Sequence, residues 1–227
     1  MHDVIRYSHV LFGAICLISG FIPMITKKGG KAHRQTGIVF FWAMFGIFIT
    51  ALLLITFYRF SFFLLVIGVF SFYNCFTGYR VLYRKKPGEQ TWVDWSGALI
   101  TLLAGLSFIG TAIYYLAQGS GFTPFIILLC IFGFFTSSTA ITDIRIFRKT
   151  DMDEKLWWFY HHMGAMGGAY IAAITAFAVQ MSNSHLSHLE YSWLSWILPA
   201  AIGVPAFSLW TRSYRKKFEL RKTGATA

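Results

Sequence analysis

Seven apolar stretches, at about 5–25, 37–57, 60–82, 95–117, 123–146, 158–181 and 192–212, take up most of this 227-residue chain. The hydrocarbon core of a bilayer is about 30 Å thick, so a helix needs roughly 20 apolar residues to cross it. No water is present there to satisfy stray backbone N–H and C=O groups, which leaves helices or a closed barrel. A barrel would show alternating segments of about ten residues, and these runs are longer and uniformly apolar. The expected fold class is therefore all-α: a polytopic transmembrane bundle of seven spans. Composition agrees, with 56% hydrophobic and 13% charged residues, against about 25% charged in soluble domains. The connectors are short, so residues 1–214 read as one transmembrane domain and 215–227 as a basic tail. Spans two and three, parted only by residues 58–61, form a tight hairpin. The first run has no basic region before it and no small-residue cleavage site after it, and reads as a retained span.

A net charge of +11 would suggest a nucleic-acid partner in a soluble protein. Its placement gives it another meaning. Lys27, Lys28, Lys31 and Arg34 lie between spans one and two, and Arg80, Arg84, Lys85 and Lys86 close span three. Arg145, Arg148, Lys149 and Lys155 lie between spans five and six, and six more come after span seven. Eighteen of the 20 lysines and arginines thus fall on one side, with only Arg6 and Arg59 on the other. The positive-inside rule then puts the N-terminus outside and the C-terminus in the cytoplasm. The expected location is a bacterial inner membrane, the partner is the lipid bilayer, and no nucleic acid is needed. Cys16, Cys75 and Cys130 sit far apart inside apolar runs and read as small buried hydrophobes.

Ionisable residues in or near a span are costly, so each is a candidate for function. His33, Arg34, Arg80, Asp94, Asp143, His161 and His162 all map to the basic ends of spans two to six, while His9, His185 and His188 lie toward the other side. Tyr73, Thr77 and Arg80 share one face of span three at i, i+4 and i+7, beside Asn74. That stripe would line a cavity or form a hydrogen-bonded seam between helices. Asp94 opens span four, where it suits a helix N-terminus, or else pairs with Arg80 or Arg34. Asp143, a turn inside span five, needs a basic partner from another helix. Gly164, Gly168 and Ala172 form a small-residue stripe on which another helix would pack closely. Adjacent histidines point about 100° apart on a helix, so His161 and His162 cannot both face one metal.

The sequence resembles an uncharacterised bacterial membrane-protein family, domain of unknown function 2306. The resemblance rests on His9, Gly20-Phe21-Ile22-Pro23, the His33-Arg34-x-x-Gly37 opening of span two and Gly78-Tyr79-Arg80-x-Leu82. It extends to Asp94-Trp95 and the run from His162 through Met166-x-Gly168-Ala169-Tyr170 to Phe177. It implies a multi-span membrane protein and assigns no reaction.

These residues suit three functions. The leading one is a histidine-centred haem b or metal site near the cytoplasmic face, used in electron transfer. Its candidate ligands are His33 with His162 or His161, with charge from Arg34, Arg80 and Asp143. His9 with an outer histidine would form a second site. A small-solute or proton-coupled transporter would use the polar stripe of span three. A zinc-dependent hydrolase would need His33, His161, His162 and Asp143 to converge on one ion.

Overall fold

The computed structural model describes residues 2–58, 62–152, 154–185 and 194–222. Among them run seven helices: α1 (His2–Ile25), α2 (Lys31–Phe57), α3 (Phe62–Arg80), α4 (Trp92–Ala117), α5 (Pro124–Phe147), α6 (Trp157–His185) and α7 (Leu194–Lys222). A single 3-10 turn, Val81–Tyr83, prolongs α3. All seven are long and apolar enough to cross a membrane. Most begin or end a few residues beyond the expected spans, chiefly at the basic ends, because the backbone stays helical past the last apolar residue. The tail expected from 215 continues as helix to Lys222.

Local signals set the ends. Thr91 and Asp94 form a capping box at the start of α4, satisfying N–H groups that the helix itself leaves without acceptors. Thr123 caps α5 through Ile126 N–H, with Pro124 in the first turn, where its missing N–H costs nothing. The α4–α5 link turns at Gly119 (φ 82°) and Gly121 (φ 64°), a backbone region that other residues enter with strain.

The helices associate as hairpins α1–α2, α4–α5 and α6–α7, with α3 and α6 innermost. One core, formed by Cys16, Phe40, Met44, Cys75, Ala169 and Tyr170, fills the group α1, α2, α3 and α6. A second, formed by Val66, Phe108, Ala112, Ile126 and Leu129, joins α3, α4 and α5. The outward faces carry large apolar side chains, among them Ile100, Leu103, Phe134 and Ile202, each more than 60% exposed.

Glycines set two close approaches. A Cβ added at Gly78 of α3 would lie 3.1 Å from Ala165 Cβ and Met166 N of α6. In the α4–α5 hairpin, Gly105 and Gly133 face each other so closely that a Cβ on either would crowd the partner backbone, 2.8 Å from Ser137 N in the case of Gly105. The stripe expected to pack, Gly164, Gly168 and Ala172, is divided. A Cβ at Gly168 would meet Asn74 Oδ1 of α3 at 3.4 Å and Ala172 is buried, whereas a Cβ at Gly164 would meet nothing within 4 Å and faces open space.

Two separations shape the interior. Among the described residues no Cα of α5 comes within 8 Å of α6, and none of α2 within 8 Å of α6. The first leaves a gap between α5 and α6; the second puts α2 and α6 on a diagonal of their four-helix group.

Candidate functional site

At the basic end, four segments bury a network of charges. Asp143 of α5 and Asp94 of α4 have side chains with no exposed surface, and Arg84, just past the 3-10 turn, keeps only 4%. Asp143 Oδ2 accepts hydrogen bonds from Tyr73 Oη at 2.8 Å and Thr77 Oγ1 at 2.5 Å. Its Oδ1 lies 3.1 Å from His161 Nε2 of α6, although the approach is not aligned as a hydrogen bond. Arg84 donates to Thr77 Oγ1 at 2.6 Å and lies 3.7 Å from Asp143 and 3.5 Å from Asp94. Its guanidinium sits over the Phe147 ring, 4.5 Å from the centroid. Burial lowers its affinity for the proton, and Asp143 and Asp94 oppose that loss. Arg80 grips Asp94 with two parallel bonds, Nε–Oδ1 at 2.9 Å and Nη2–Oδ2 at 2.7 Å, the strong fork geometry of Arg–carboxylate pairs.

The sequence stripe on α3 is therefore a seam: Tyr73 and Thr77 both end on Asp143. Asp94 does both jobs expected of it, capping α4 and pairing with Arg80. The charge pattern marks Arg84 only as one of the orienting residues, yet it is the cation at the centre. Its signal is the register, since Tyr73, Thr77, Arg80 and Arg84 continue one face at i, i+4, i+7 and i+11.

The two neighbouring histidines part company. His161 turns to Asp143, and His162 turns into the group α1, α2, α3 and α6. There its ring meets that of His33 from α2 edge-on, with centroids 6.3 Å apart and planes at 63°. Each ring is fixed through Nδ1 to a carbonyl on a different neighbouring helix. His162 bonds Gly78 O of α3 at 2.7 Å, and His33 bonds Pro23 O of α1 at 3.1 Å. A carbonyl only accepts, so both Nδ1 atoms carry the proton and both Nε2 atoms keep a lone pair. Beside them Lys28 donates to Pro23 O at 2.6 Å and lies over Trp210, 4.1 Å from the ring centroid. Burial brings its ammonium down to about 8.

The four residues expected to converge on zinc are thus divided, His161 with Asp143 and His162 with His33. No three of His, Cys, Asp and Glu come together around a metal position among the described residues. His9 bonds Thr50 Oγ1 at 2.9 Å toward the other end of the bundle. His188 lies outside the described residues. Arg34 is exposed at the start of α2 and joins neither cluster. Asn74 turns back to Phe70 O at 2.8 Å.

Two adjoining cavities meet at His161. One, of about 660 Å³, runs along α6 and α7 from Lys149, Trp157 and Arg215 past Gly164 to Ile171 and Phe207. The other, of about 290 Å³, fills the α5–α6 gap and is lined by Asn74, Ser138, Thr139, Thr142 and Gly164. Tyr160, His161 and Gly164 belong to both.

No family model, no curated protein and no solved structure matches this chain.

Proposed function

We propose that the chain is a bacterial inner-membrane protein, N-terminus outside and C-terminus cytoplasmic, that holds a haem b between His33 and His162 and carries electrons. The observation carrying this reading is the spacing of the two rings, each anchored through Nδ1. Two metal–imidazole bonds of about 2.0–2.1 Å end to end, with roughly 1 Å from each nitrogen to its ring centre, need centroids about 6 Å apart; they stand at 6.3 Å. Histidine ligands almost always donate their other ring N–H to a carbonyl or carboxylate, which fixes the tautomer, and both rings do so here. The porphyrin supplies four of the six iron ligands, so a facing pair of imidazoles completes the set. A catalytic zinc asks at least three ligands of the protein, and no three come together among the described residues. Lys27, Lys28, Lys31 and Arg34 adjoin His33 in the chain and complement the haem's anionic propionates. Both histidines fall within the motifs that resemble domain of unknown function 2306, and membership of that family is part of this reading.

Absorbance of the detergent-purified chain, expressed with haem supplied, provides the test. A Soret band at about one haem per chain is expected, abolished in His33→Ala and in His162→Ala and retained in His161→Ala. A chain without a Soret band, or one that keeps it in both ligand variants, refutes the proposal.

A further inference from the structure

The cavities that meet at His161 lie one residue along α6 from His162, and they differ chemically from an ordinary crevice between membrane helices. Their upper walls are apolar and aromatic, formed by Trp157, Ile171, Val204 and Phe207. Their inner floor is polar: Asn74, Ser138, Thr142 and His161 line the part between α5 and α6. Because α5 and α6 do not approach within 8 Å among the described residues, this floor is reached from the side of the bundle. From Trp157 to Ile171 the groove runs along α6 for about 21 Å at 1.5 Å per residue. Asn74 Nδ2 and Thr142 Oγ1 already bond carbonyls of their own helices at 2.8 Å, but an acyl chain would leave Asn74 Oδ1 and His161 Nδ1 without a donor, at a cost. A ring carrying two oxygens on an isoprenoid tail would satisfy them and still lie along the apolar walls.

His161 is prepared for such a ring. Its Nε2 lies 3.3 Å from Thr77 Oγ1, whose own proton goes to Asp143, and 3.1 Å from Asp143 Oδ1, and Tyr73, Thr77 and Arg84 hold that carboxylate in place. Its Nδ1 has no hydrogen-bond partner among the described residues, and the side chain keeps 15% of its surface open. Because the Thr77 hydroxyl gives its proton to Asp143, its oxygen accepts from Nε2–H, which selects the tautomer with Nε2 protonated and leaves Nδ1 as an acceptor.

We propose that this groove binds a membrane quinol or quinone, with a ring hydroxyl donating to His161 Nδ1, and that the bound ring exchanges electrons with the centre at His162. This rests on the haem reading for its electron partner, though not for binding. The balance is one quinol oxidised to quinone, two protons released to water at the basic mouth of the groove, and two electrons leaving one at a time; a haem held by His33 and His162 would take each in turn and be reoxidised between them by an external one-electron acceptor. Asp143 is a positioning residue, acting only through His161.

The test uses the full chain in nanodiscs, with decyl-benzoquinone and a decyl-naphthoquinone as probes and their quinols as reductants. Quenching of tryptophan fluorescence, with Trp157 in the wall, reads binding with or without haem. The ferrous α-band reads electron transfer. Saturable quenching is expected for at least one ring type, and the two probes tell benzoquinone from naphthoquinone. Gly164→Leu should weaken binding at least tenfold while leaving the Soret band intact, since a side chain there enters open space. His161→Gln should weaken binding and slow haem reduction by quinol at least tenfold. Unsaturable quenching equal in wild type and Gly164→Leu overturns the proposal, as does a groove that keeps a co-purified phospholipid which neither quinone displaces. A chain that binds quinone but holds no haem keeps the groove and sinks only the haem reading.

Discussion

Arg84 and Asp143 show how much a single position can hold in a span-rich chain. Two side chains with almost no exposure, one of each sign, stand 3.7 Å apart with hydroxyls from Tyr73 and Thr77 between the helices. Removing one partner of a buried pair strands the other, which typically costs about 3–5 kcal/mol, whereas replacing both with apolar groups of similar volume is often neutral. Arg84→Met alone is therefore expected to lower the thermal midpoint of the detergent-solubilised protein sharply. Arg84→Met with Asp143→Leu should recover much of that loss. Equal losses in the single and double variants would show that the hydroxyl bonds, not the charge pair, hold the site together. At this scale the sequence is half legible. Asp143 announces itself as a carboxylate inside an apolar run, and Asp94 as a cap. Arg84 is hidden because it belongs to a cluster of basic residues that all serve equally well as orientation signals. Only its register, continuing the face of Tyr73, Thr77 and Arg80, sets it apart. The division of His161 from His162 is foreseeable from the helical angle, but not the partner each takes, since that depends on which helices flank α6.

At the scale of elements, α6 is the axis of the molecule. It meets α3 through Gly78 and meets α7 through Gly167 and Gly203, where added Cβ atoms would crowd Phe207 and Ile171. Gly78→Val is expected to push α3 from Ala165 and Met166 and displace the carbonyl that fixes His162. Its signature is a weakened or shifted Soret band with α-helical circular dichroism preserved. An unchanged spectrum would mean that His162 does not need that carbonyl. The helices themselves are legible almost to their ends, because span length is dictated by membrane thickness and not by subtle propensity. Which small residues carry the packing is not legible: Gly78, Gly164 and Gly168 look alike in sequence, and only the missing contact between α5 and α6 explains why Gly164 faces a cavity.

For the whole molecule, the charge bias and the odd number of helices make one joint claim about orientation. With a cysteine introduced at Ser120, in the α4–α5 link, or at Lys86, in the α3–α4 link, labelling of intact cells by an impermeant maleimide is expected at the first alone. Lys86→Cys should label only after permeabilisation; the reverse pattern would invert the proposed orientation. The parting of the two histidines has a mechanical consequence. His161 and His162 are consecutive residues of one rigid helix, held about 100° apart around its axis. Any twist of α6 that draws one ring from its partner must swing the other by the same angle. The carboxylate on one side and the neighbouring imidazole on the other are thus geared through a single shaft, and neither histidine can be disturbed without the other registering it.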